Sequence, residues 1–267
     1  MDLFQQKLKK EEQSKKTKNI IKRNMYNTEI KRILFENVPI IRQSHLLFPK
    51  SIHKEYDDIT ESANKSQHRL ISALNKHIKK FDQHRKQKHA LIINPGIKTK
   101  ESFLNKANGV FEGDYTQILD LYRASIIVEN LKDIPILLNN ISDKHSFLQQ
   151  HFRIVNKENK FKKPTTYKSI KINIYDRTNG LCGELQILTC SVKLYNSIIG
   201  RKNYEKARKI ERKAKQENRE LTEEERIQLE STRNLLKDGW ENMNDLKFKG
   251  TCLEQLQKNK SLYQEKQ

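Results

Sequence analysis

The stretch from Thr166 to Thr189, TYKSIKINIYDRTNGLCGELQILT, constrains this chain more than any other segment. It reads as two strands joined by a polar turn. Apolar and polar residues alternate on both sides of Asp176-Arg177-Thr178-Asn179-Gly180, and Asn-Gly is a strong hairpin signal. In the first strand Ile170, Ile172 and Ile174 share one face, and Tyr167, Ser169, Lys171 and Asn173 the other. In the second, Leu185 and Ile187 join the apolar face, leaving Glu184 and Gln186 on the polar one. With the turn centred on Thr178 and Asn179, antiparallel pairing sets Glu184 opposite Asn173 and Gln186 opposite Lys171. A half-solvated sheet face produces the same alternation, so the pattern alone leaves open whether this surface binds a ligand or only meets water.

Charge narrows the partners. The 267 residues carry 53 Lys and Arg against 33 Asp and Glu, a formal net charge of +20. Such a surplus attracts polyanions: RNA, DNA, nucleotide phosphates or an anionic membrane face. A coding bias toward lysine produces the same surplus with no partner involved. No apolar run approaches a membrane span, and the charged N-terminus lacks the apolar core of a signal peptide. The three cysteines, Cys182, Cys190 and Cys252, have no metal-ligand spacing and read as reduced thiols of a cytosolic chain. The eight histidines form no HxxH or HD-type cluster, which argues against a zinc site or a metal-dependent phosphohydrolase module.

Periodicity divides the chain into three parts: a basic helical region over 1–90, an α+β core over 91–190 and a charged helical extension over 191–267. Residues 3–35 read as a basic amphipathic helix that breaks near Asn37-Val38-Pro39. A second helix over 52–85 carries Ala63, Leu70, Ile71, Leu74 and Ile78 as its apolar stripe. Between Lys65 and Lys100 stand ten Lys or Arg against one Asp, a solvated helix face or a phosphate-facing one. After the break at Asn94-Pro95-Gly96, residues 98–107 read as a helix and 121–128 as a buried strand. Asp133 is placed as the cap of one helix running through Phe147. A short strand follows over 152–155, then a lysine-rich loop from Lys157 to Pro164 and the hairpin. Everything after Thr189 reads as helix, interrupted near Asn218–Thr222, with Thr222 and Glu225 spaced as a capping box.

Four segments in this order resemble the nucleotide pyrophosphotransferase (synthetase) domain of the RelA/SpoT family. The segment IKTKESFLNKA resembles the family's basic KxxxS segment, with Lys98 and Ser102 in its Lys and Ser positions. DLYRASIIV resembles the strand opened by a metal-binding Asp, here Asp120. TYKSIKINI stands where the family has GYRSxH, and its Tyr167 matches the tyrosine that stacks on the acceptor base. GELQILT resembles the ExQxxT strand, offering Glu184 as second acid with Gln186 and Thr189 in register. The resemblance covers about a third of the chain. It implies a nucleotidyltransferase-like core with a mixed, mostly antiparallel sheet between N- and C-terminal helices, and no companion hydrolase.

The implied activity is transfer of pyrophosphate from ATP to the 3′-hydroxyl of GDP or GTP, giving (p)ppGpp, or to a tRNA 3′ end. Mg2+ would be held by Asp120 and Glu184. Glu184 would take the hydroxyl proton, and Lys98, Arg123 and Lys171 with the loop lysines Lys157, Lys160, Lys162 and Lys163 would supply positive charge. Several positions depart from the family pattern: Gly96 for an arginine, Thr166 for the glycine, Lys168 for the next arginine, Lys171 for the histidine. Ser125 replaces the arginine five residues after the metal Asp, while Arg123 sits at plus three. These departures keep two further readings in play: a catalytically degenerate RNA- or ribosome-binding module using its basic helices, and an exported effector or toxin built on the same domain.

Overall fold

The protein, described from a computed structural model, is defined over residues 52–85, 90–162, 168–196 and 200–242. The expected helix over 3–35, together with Tyr167 and Lys163, lies outside the described residues. In chain order the elements are α1 (Ile52–Arg85), β1 (Ala90–Ile93), α2 (Lys100–Val110), β2 (Tyr122–Val128), α3 (Asp133–Ser142), α4 (Phe147–His151) and β3 (Phe152–Asn159). The hairpin strands β4 (Ile170–Asp176) and β5 (Cys182–Thr189) follow, then α5 (Cys190–Tyr195), α6 (Arg201–Gln216) and α7 (Glu223–Asn242).

The five strands form one sheet in the order β1-β2-β5-β4-β3. Only β2 and β5 run parallel; the other pairs are antiparallel. The fold is therefore α+β with a mixed, mostly antiparallel sheet, as expected. The hairpin register also matches the sequence reading, with Asn173 opposite Glu184 and Lys171 opposite Gln186. A four-residue turn makes it: Asp176 and Leu181 close the ladder, and Gly180 takes φ 76°, where a side chain would be strained.

One face of the sheet is apolar and carries the main core. Ile126 of β2, Ile187 of β5 and Ile172 of β4 are fully buried there. The helix α1 joins that same core through Ile59, Ala63, Leu70 and Leu74, so its stripe is the inner side of a packed helix. A side chain also repairs a gap in the sheet. Asn94-Pro95-Gly96 ends β1 early and leaves Arg123 without a strand partner on that side. Gln67 of α1 substitutes for it: its Oε1 accepts from the Arg123 N–H at 2.8 Å and its Nε2 donates to the Arg123 carbonyl at 2.7 Å.

Several expectations need correction. The four-residue β1 was not anticipated, being too short for a periodic signal. The single helix from Asp133 through Phe147 is two, because Ser146 caps a separate α4 by accepting from the Gln149 N–H. Asp133 is not the N-cap, which is Lys132, but the first residue of α3, and it is fully buried. Strand β3 extends to Asn159, so Lys157 is a strand residue rather than a loop one. Cys182 is a buried thiol outside any disulfide, as expected, whereas Cys190 is disulfide-bonded. Thr222 and Glu225 do form the capping box, each backbone N–H donating to the other's side chain.

Tyr122 and Gly183 face each other across the parallel pair, and the buried Tyr122 ring lies against the Gly183 backbone. A Cβ at Gly183 would fall 2.3 Å from a ring carbon. Gly183→Ala is therefore expected to cost about 1–3 kcal/mol through overpacking. That corresponds to roughly 3–10 °C in Tm; a thermal melt within 1 °C of wild type would refute this packing.

Candidate active site

The other face of the sheet is polar at one end and apolar at the other. The apolar end, with Ile127 and Leu188, is roofed by Val192, Leu194 and Tyr195 of α5, whose N-cap is Thr189. The polar end lies where β2 and β5 begin. There the register sets Arg123 beside Glu184 and Ser125 beside Gln186, with Asn173 and Lys171 across β5. This is no half-solvated face: Glu184 is 6% exposed, Asn173 2% and Lys98 6%.

Two carboxylates organise the polar end. Asp120 precedes β2 and is held by two ammonium groups, Lys98 Nζ at 3.1 Å from Oδ2 and Lys106 Nζ at 2.8 Å from Oδ1. Glu184 pairs with Lys171, Nζ to Oε2 at 2.6 Å, and its Oε1 accepts from Gln186 Nε2 at 2.5 Å. The two centres adjoin. Asn173, opposite Glu184, donates through Nδ2 to the carbonyl of Leu119, the residue before Asp120. Lys171 also feels the charge of Asp120. Lys98, Lys106, Lys171 and Arg123 thus surround two acids, leaving a local excess of positive charge.

The electrostatics follow from burial in opposition to pairing. Burial would raise the Asp120 carboxyl, but Lys106 and Lys98 outweigh it and hold it at about 2. A folded value below the unfolded one of 3.8 stabilises the fold at any pH above about 4. The contribution, roughly 2 kcal/mol, is lost as pH falls toward 2. Burial pulls Lys98 down, Asp120 partly offsets this, and Lys106 and Arg123 add to the depression. Lys171 goes the other way: burial lowers it, but Glu184 and then Asp120 raise it above its ordinary value.

The structure brings Lys98, Asp120, Arg123, Lys171, Glu184 and Gln186 together. Lys160 borders them through Glu158, which lies opposite Lys171 and 3.7 Å from the Lys160 ammonium. Ser102 sits exposed on α2. Lys157 is a correction: its strand position, opposite Ile172, turns it to the apolar face, where Nζ donates to Ser142 Oγ at 2.7 Å. Burial brings its pKa down to about 8. Sequence reasoning missed Lys106, although it lies one helical turn from buried Phe103 and eight residues after Lys98.

Two observations bear on what this end of the sheet accepts. The Arg123 Nε–H is buried without an acceptor among the described residues, which suits an incoming oxyanion. No group of three or more His, Cys, Asp or Glu forms a metal cage among the described residues. Two carboxylates alone fit Mg2+, which takes one or two together with phosphate oxygens. No described helix is long and apolar enough to cross a membrane.

No protein-family model matches the chain, and no curated protein is similar to it in sequence. Solved structures are similar in fold. The small alarmone synthetase 1 of Bacillus subtilis bound to its product pppGpp superposes with a TM-score of 0.52 at 14% identity, over 78% of this chain and 98% of that one. A GTP pyrophosphokinase family protein of Streptococcus pneumoniae gives 0.49 at 18% identity, over 78% and 97%. The first of these superpositions gives the chain the fold of a small alarmone synthetase, in line with the RelA/SpoT resemblance of its motifs.

Proposed function

We propose that this protein is a nucleotide pyrophosphokinase, transferring the β,γ-pyrophosphoryl group of ATP to the 3′-hydroxyl of GDP or GTP. The observation that carries this reading is the gathering of Asp120, just before β2, and Glu184 of β5 at one end of the sheet among four cations. The similarity in fold to a synthetase solved with pppGpp supports it.

Pyrophosphoryl transfer needs positive charge around the phosphates and a base for the attacking hydroxyl. Lys98, Lys106 and Arg123 provide the first; the Arg123 Nε–H donates to a phosphate oxygen. Glu184 provides the second, with Lys171 and Gln186 fixing its orientation. The 3′-oxygen forms a bond to the β-phosphorus, the bond from that phosphorus to the α,β-bridging oxygen breaks, and AMP leaves with that oxygen. The hydroxyl proton passes to Glu184. Mg2+ held by Asp120 and Glu184 with donor phosphate oxygens would neutralise the charge on the transferring group.

A tRNA 3′ end is the second acceptor to consider. The formal charge of +20 and the replacement of three guanine-side family positions by Thr166, Lys168 and Lys171 favour it. Incubation with γ-labelled ATP and GDP, GTP or deacylated tRNA distinguishes them, because label moves to a small nucleotide or to RNA. Label reaching none of them, with salt-sensitive RNA binding that survives alanine at both acids, would replace the enzyme with an RNA-binding module.

A further inference from the structure

We infer that the lysines of this site close it to free divalent cations, so that a cation enters only with a nucleoside polyphosphate whose oxygens displace Asp120 from Lys98 and Lys106. The polyphosphate half of this inference rests on the pyrophosphokinase reading; the closure does not.

All four oxygens of the two acids are engaged by side chains of the protein. Lys106 and Lys98 take the two oxygens of Asp120, Lys171 and Gln186 the two of Glu184. A bare cation seeking Asp120 must first expel an ammonium group. Lys98 has few places to go: its side chain is 8% exposed. A bare cation would also add its own charge to a site where four cations already exceed two carboxylates, and repulsion between poorly hydrated like charges is strong.

A polyphosphate reverses both obstacles. Its charge cancels the local excess, and its oxygens give Lys98, Lys106 and the acceptor-less Arg123 Nε–H new partners. Asp120 is then released toward the cation. Two lysines must change partners together, so a ligand with adjacent phosphates is required and a single phosphate is a poor substitute. By linkage, cation and polyphosphate each raise the other's affinity by the same factor.

The test is Mn2+ binding, read from the electron paramagnetic resonance of the free ion, with the protein alone and with α,β-methylene-ATP. Binding of Mn2+ to the analogue itself is subtracted. Wild type alone is expected to bind Mn2+ at least about 100-fold more weakly than with the analogue, a coupling within the range known for linked sites. Lys106→Met leaves one Asp120 oxygen free and is expected to bind Mn2+ alone at least tenfold more tightly than wild type, while its affinity for the analogue falls. Lys100→Met controls for the lost charge, since Lys100, on the same helix as Lys106, pairs instead with exposed Asp57 of α1, and should change neither.

Equal Mn2+ affinity of wild type and Lys106→Met overturns the closure, as does equal gain in Lys100→Met. An analogue that fails to bind with or without Mn2+ overturns the polyphosphate half and the pyrophosphokinase reading with it, while the comparison of the two variants still decides the closure.

Discussion

Glu184→Gln should lose pyrophosphotransfer by about 10²–10⁴-fold in kcat, the range a general base contributes, while nucleotide still binds. The substitution keeps the shape and the Oε1 acceptor for Gln186 but removes the charge that faces Lys171. Lys171 then stands partly buried without its counter-ion, so the site becomes more positive, and the affinity for ATP is expected to hold or rise. A structural role for Glu184 would behave differently, lowering stability and activity together. The double variant Lys171→Met/Glu184→Gln separates the two: removing both partners of a pair largely restores stability, whereas activity should stay lost. Retention of transfer within tenfold of wild type in Glu184→Gln would remove Glu184 from the chemistry.

What the sequence disclosed and what it withheld have physical causes. The hairpin was legible down to its register because a period of two fixes every side chain once the turn is placed, and Asn179-Gly180 placed it. Glu184 was legible as an acid within a strand-forming run and Asp120 through the resemblance of its segment to the family motif, but their adjacency was not. That adjacency comes from the parallel pairing of β2 with β5, a contact across some sixty residues that local pattern does not encode. Lys157 was misplaced for a related reason. Its lysine-rich surroundings suggested a loop, yet β3 continues through it with a bulge between Ile154 and Asn156, and strand register turned it to the far face. Lys106 was overlooked because one cation on a basic helix looks like the others until a carboxylate is found opposite it.

Asp176→Ala should be among the most destabilising single changes to the hairpin, costing about 3 kcal/mol and lowering Tm by roughly 6–12 °C. Asp176 is fully buried at the end of β4, on the face opposite the site. Its Oδ2 accepts two bonds from Arg69 of α1, Nη2 at 2.6 Å and Nε at 3.1 Å, and its Oδ1 accepts from the Thr178 N–H at 2.9 Å. Asn179 adds a second fastening, donating to the Ser62 carbonyl and Ser66 Oγ of the same helix. These contacts tie the turn to a segment more than a hundred residues earlier, so the hairpin that presents Lys171 and Glu184 is anchored from behind. Alanine leaves the Arg69 guanidinium without its carboxylate, with only a long bond to Ser66 Oγ, and the Thr178 N–H without its acceptor, and such orphaned partners cost more than the pair itself contributes. Arg69 is 28% exposed and recovers some hydration, which holds the estimate to the lower end of the range for buried pairs. Arg69→Met/Asp176→Leu removes both charges and is expected to regain most of the loss in a denaturant titration. If Asp176→Ala melts within 2 °C of wild type, the anchor contributes nothing and the hairpin must be positioned by its apolar face alone.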